Sequence, residues 1–109
     1  MARIRLILLP LLLSMTGLSL ASAAEPTPGR QAELIHLLRH DCGSCHGMRL
    51  QGGLGPPLTP DRLETLSSEQ LSATILHGRP GTPMPPWRPF LTREEALWLA
   101  RQLKGGVAR

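Results

Sequence analysis

Two thiols and an imidazole stand together in Cys42-Gly43-Ser44-Cys45-His46. This C-x-x-C-H spacing is the pattern of covalent c-type haem attachment. Two cysteines this close can add to the two vinyl groups of neighbouring pyrroles, which brings the adjacent histidine beneath the iron as its proximal ligand. Gly43 and Ser44 are small enough for the loop to lie against a porphyrin edge. A redox disulfide of thioredoxin type would need a strand before it in a βαβ unit, and no such strand can be read here. A structural zinc site would need four ligands, and the chain has no second pair of cysteines. One covalent haem c is therefore the expected cofactor.

Met84, 38 residues after His46, lies in Gly81-Thr82-Pro83-Met84-Pro85-Pro86-Trp87. A thioether is a soft iron ligand, and a His/Met pair raises the reduction potential relative to His/His. Flanking prolines would hold the sulfur still in both redox states, although a methionine can also simply fill a gap in a thin core. Met48 is too close to His46 in sequence to reach the opposite haem face, and His36, His40 and His77 read as surface or helix-end groups. Gly55-Pro56-Pro57-Leu58 is open to two readings. It can offer the Pro56 carbonyl to His46, as ligating histidines require, with Leu58 on the macrocycle, or it can be only a turn. Trp87 can reach a haem propionate or pack. Arg49, Arg79 and Arg88 fall in loops expected around the haem edge, where they would steer an acidic partner.

The elements that must position these groups read as helices. Residues 24–30 look like a flexible lead-in. A helix follows over 31–39 with Leu34, Ile35, Leu37 and Leu38 on one stripe, ended by Asp41-Cys42-Gly43-Ser44. Gly47 to Pro60 reads as loop, and Asp61 to Leu66 as a short helical turn. Ser67 with Gln70, and Thr92 with Glu95, spell two capping boxes. The first helix runs to Gly78. The second carries Ala96, Leu99, Ala100 and Leu103 inward, with Leu97 and Trp98 to the side, and stops at Gly105-Gly106. Five prolines between 79 and 90 fix an extended segment between them. No period-two alternation and no repeat is visible. The expected fold is all-α, three to four short helices with long loops wrapped around one haem.

The N-terminus has a different character. Arg3 and Arg5 precede an apolar run from Leu6 to Leu20, and Ala21-Ser22-Ala23 follows. This is the pattern of a secretory signal peptide, residues 1–23, and the run is short for a membrane span, which needs roughly 20 apolar residues. Cleavage leaves 86 residues, arranged as a lead-in (24–30), a domain (31–105) and a tail (106–109), with a periplasmic location and no membrane contact expected. Only three aromatic residues remain, Trp87, Phe90 and Trp98. So small a domain buries too little surface to be secure alone, and a cofactor would supply the missing core. Ten basic and eight acidic side chains remain, scattered without a Lys/Arg run, which gives no support to nucleic-acid binding.

Cys42-x-x-Cys45-His46, Gly55-Pro56-x-Leu58 and Met84-Pro85, in this order, resemble the class I monohaem cytochromes c over residues 31–104. The resemblance implies terminal helices crossed near one haem edge, the Pro56 carbonyl on His46, and Met84 as distal ligand. The stretches CGSCHGMRLQGGLGPPLTP and ILHGRPGTPMPPWRPFL are similar to the c-55X family of small periplasmic cytochromes in denitrifying bacteria. That family is associated with the cd-type nitrite reductase and with haem d1 production, so the resemblance implies one of these proteins as redox partner. With both axial positions filled, the expected role is a monomeric electron carrier, not an enzyme. The alternatives are an accessory donor or docking factor in haem d1 maturation, or an open-site ligand sensor or peroxidase. One departure is notable: class I members often carry an aromatic residue where this chain has Gln102, with Trp98 a turn earlier.

Overall fold

The computed structural model describes residues 25–106. The expected signal peptide lies outside the described residues, and so do the last three residues of the tail. Every regular element among the described residues is helical, as an all-α fold requires. None of these helices is long and apolar enough to cross a membrane.

Helix α1 spans Pro28–Leu37. It starts three residues before the expected position, so residues 28–30 are helical and not lead-in. The cause is local: Thr27 caps the helix, its hydroxyl accepting from the Arg30 N–H at 3.3 Å, and Pro28 is preset for the first turn. Nor does the chain leave the helix at Asp41. It continues as a π-helical segment, Leu38–Cys42, and then as α2, Gly43–His46. The Gly43 N–H donates to the Leu38 carbonyl, five residues back. The buried positions follow the same count, stepping by four from Leu34 to Leu38 and by five from Leu38 to Gly43. A strict α-helical winding would have put Gly43 off that stripe.

Asp61 to Thr65 forms hydrogen-bonded turns, with Leu63 buried beneath them. Helix α3, Ser68–His77, opens on the reciprocal bonds of Ser67 and Gln70 at 3.0 and 2.9 Å. Helix α4, Arg93–Gly105, opens on the same device between Thr92 and Glu95, at 3.1 and 3.0 Å. Gly106 closes it in the left-handed conformation.

Helix α4 packs chiefly against α3 and over a smaller area against α1. Its Ala96, Leu99, Ala100 and Leu103 are buried as the periodicity predicts, and so is Trp98, which the sequence had placed to the side. One core joins Leu34 and Leu38 of the first helix, Leu50 and Leu63 of the loops, Leu71 and Ile75 of α3, Leu91, and the α4 stripe. Arg30 crosses from α1 to α4, its guanidinium donating to both carboxylate oxygens of Glu95 at 2.7 and 3.2 Å. That contact holds the Glu95 carboxyl below its ordinary range, helped by the Thr92 N–H. At the other end of α4, Lys104 donates to the carbonyls of Leu63 and Leu66 and closes the turn region onto the helix.

Candidate haem-attachment site

The π-helical segment delivers Cys42, and α2 delivers Cys45 and His46. Both cysteines are free thiols; Cys42 is half-buried and Cys45 exposed. Burial, with the Asp41 carboxylate adding to it, pushes the Cys42 thiol up to about 11.

The loop after His46 folds back beneath it. The carbonyls that α2 leaves without helical partners are received by this loop: Gly52 N–H bonds the His46 carbonyl at 2.7 Å, and Gly55 N–H bonds that of Cys45 at 2.8 Å. His46 Nδ1 lies 2.8 Å from the Pro56 carbonyl oxygen. A carbonyl only accepts, so Nδ1 carries the proton and the lone pair of Nε2 is left free to bind a metal. Gly55 stands directly against the ring, where a Cβ would lie 2.7 Å from Cε1 and Nδ1. Leu58 is half-buried on the core, its N–H tied to the Leu50 carbonyl at 2.8 Å. Leu50 accepts a positive φ of 58° while almost wholly buried. That loop is a built cradle for an imidazole.

A second loop carries Met84, which is half-buried. Its carbonyl accepts from the Arg79 N–H at 3.2 Å, and Thr82 braces the same turn. Beyond it, the N–H groups of Trp87 and Arg88 bond the carbonyls of Ile75 and Leu76 at 3.1 and 3.3 Å, pinning the loop to the end of α3. Gly78 makes the reversal possible, with φ +67° and ψ −171°. Trp87 is half-buried against the core and contacts Phe90, ring centroids 5.8 Å apart. Arg49, Arg79 and Arg88 are all exposed.

The remaining histidines are exposed too, with His36 and His40 in contact with each other and His77 at the end of α3. Met48, 63% exposed, lies beside Gly43. No group of three or more His, Cys, Asp or Glu side chains among the described residues could hold a metal ion. Sequence reasoning missed the contact of Gly55 with the ring and the role of Gly78. The only signal was the density of glycine in the two loops.

Known proteins agree on the class. The family described as "Cytochrome C oxidase, cbb3-type, subunit III" matches residues 29–101. The cytochrome c55X of Pseudomonas aeruginosa is 56% identical over 85 residues, 77% of this chain and 71% of the relative. A solved structure of the c-type cytochrome NirC superposes with a TM-score of 0.74 at 55% identity, covering 76% of this chain and 98% of the other. The chain belongs to this cytochrome c family. A dihydro-heme d1 dehydrogenase of Pseudomonas aeruginosa also matches, 44% identical over 66 residues, which are 61% of this chain but 12% of that enzyme.

The cofactor of this cytochrome is covalent haem c, and the residues fit it. Two free thiols sit three residues apart at one helix end. The next residue is an imidazole with Nδ1 engaged and Nε2 free.

Proposed function

We propose that this cytochrome is an exported, periplasmic electron carrier of denitrification, not an enzyme. Cys42 and Cys45 would hold the haem through thioethers, and His46 and Met84 would ligate its iron. The observation that carries the reading is the His46 Nδ1–H donated to Pro56 at 2.8 Å, with Gly55 giving the ring its space. It fixes the tautomer and the direction of Nε2, and a bound carbonyl raises the basicity of a ligating ring. Leu58 and Trp87 serve as apolar walls of the haem crevice. Trp87 has no hydrogen-bond partner for its indole N–H among the described residues, so it also suits a propionate. When bound, the haem supplies one-electron chemistry at its iron. His46 and Met84 would hold the iron between them, and the exposed Arg49, Arg79 and Arg88 would steer an acidic redox partner. That partner, in the first reading, is the cd-type nitrite reductase.

A second partner is favoured by a specific likeness. A stretch of this chain matches a short part of a dihydro-heme d1 dehydrogenase, which suits service as a redox partner in haem d1 maturation. A strain lacking this cytochrome separates the two. Full d1 cofactor with slow nitrite reduction supports donation to the reductase, and missing d1 cofactor supports maturation.

Absorption spectra of the oxidised and reduced protein, with a pyridine haemochrome, test the ligation. The expected result is a c-type haemochrome and a weak sulfur-to-ferric-iron band that disappears in Met84→Ala. A c-type haemochrome without that band in the unsubstituted protein would reject Met84.

A further inference from the structure

His36 and His40 take no part in the site described above. They lie one turn apart where α1 passes into the π-helical segment, with ring centroids 4.2 Å apart and planes inclined by 40°. Both are exposed, and neither ring has a hydrogen-bond partner among the described residues. The contact buries little, and two protonated rings so placed would repel each other. It does suit chelation. Imidazole nitrogens bind Zn(II) at about 2.0–2.1 Å, so two ligands on one ion stand about 3 Å apart. Each ring centre lies about 1.1 Å behind its nitrogen, so a shared ion sets the centroids roughly 5 Å apart, and the two exposed rings open from 4.2 Å by side-chain rotation to take it. The place is also unusual, because the π-helical segment begins at Leu38, between the two histidines, and π turns gather at functional sites.

We propose that His36 and His40 form a two-imidazole site for a divalent transition metal of the Zn(II) and Cu(II) class. No third carboxylate, thiol or imidazole joins them among the described residues, so water fills the remaining positions. Imidazole donors favour Cu(II) over Zn(II) in the usual order. His36 belongs to α1 and His40 to the segment that delivers Cys42, so a bound ion clamps the two together. Binding to the folded state alone then raises the thermal midpoint.

The test uses the ferric protein with its haem in place and Zn(II) as a redox-silent probe, titrated against a chromophoric chelator. One Zn(II) per chain is expected, with affinity at least tenfold weaker in His36→Ala and in His40→Ala and unchanged in His77→Ala. The thermal midpoint should rise with Zn(II) in the unsubstituted protein and in His77→Ala, and stay put in the other two. Absence of binding in the unsubstituted protein, or equal affinity in all four, would overturn the proposal. Neither result bears on Met84 or His46.

Discussion

At the scale of single residues, the Met84 loop turns on Gly78. Its φ of +67° and ψ of −171° fall in a region that is essentially reserved for glycine, and a side chain there costs about 1–3 kcal/mol. A Cβ would also stand 2.8 Å from the Met84 carbonyl oxygen and 2.7 Å from the Pro85 carbonyl carbon. Gly78→Ala should therefore shift Met84 without touching the attachment motif. The expected result is loss of the sulfur-to-ferric-iron band at neutral pH, with the c-type haemochrome intact; an unchanged band would contradict it. Gly55 has the corresponding role beneath His46. The sequence marked Gly78 as a helix stop and Gly55 as the start of a proline-held loop, but not the close approach either one permits, since a run such as Gly52-Gly53-Leu54-Gly55 announces a loop without saying which member meets a ring. The motif residues themselves were legible because their chemistry depends on local spacing.

At the scale of elements, the Arg30–Glu95 contact joins α1 to α4 and occupies the same carboxylate that caps α4. Glu95 has its carboxyl held down in the folded protein. The linked stability is thus present above the unfolded glutamate value of about 4.3 and is lost as pH falls through the lower folded value. The pair is two-pronged and partly shielded, so Arg30→Ala should cost about 1 kcal/mol near pH 7, the upper end for such pairs. Denaturant unfolding at pH 7 and pH 3 checks this: the variant should lose less stability on acidification than the unsubstituted protein. Elements bounded by reciprocal caps, α3 and α4, could be read to within a residue of their starts. The early start at Pro28 was also written, in Thr27-Pro28, but the surrounding glycine and prolines resembled a linker. Trp98 misled because α4 packs against both α3 and α1, so its buried surface is wider than one stripe.

At the scale of the molecule, the protein core is thin. Among the described residues, three of the twelve buried apolar side chains, Leu50, Leu63 and Leu91, come from loops. Leu54 is 93% exposed and Phe90 65%. A chain with so little apolar interior of its own depends on what it holds. The Cys42→Ala, Cys45→Ala double variant, which cannot attach haem, should lose cooperative thermal unfolding; a sharp transition near that of the unsubstituted protein would contradict this. The five-residue step from Leu38 to Gly43 adds a different consequence. Between the buried face of α1 and the thiols, the polypeptide holds one residue more than a plain helix needs to span the same path. This surplus is slack, taken up by the wider winding. Removal of Arg39 should let that stretch relax to ordinary winding with both thiols aimed as before, so haem attachment should survive the shortening. The length between core and cofactor should then tolerate the loss of one residue, and a c-type haemochrome retained by the Arg39 deletion variant checks it.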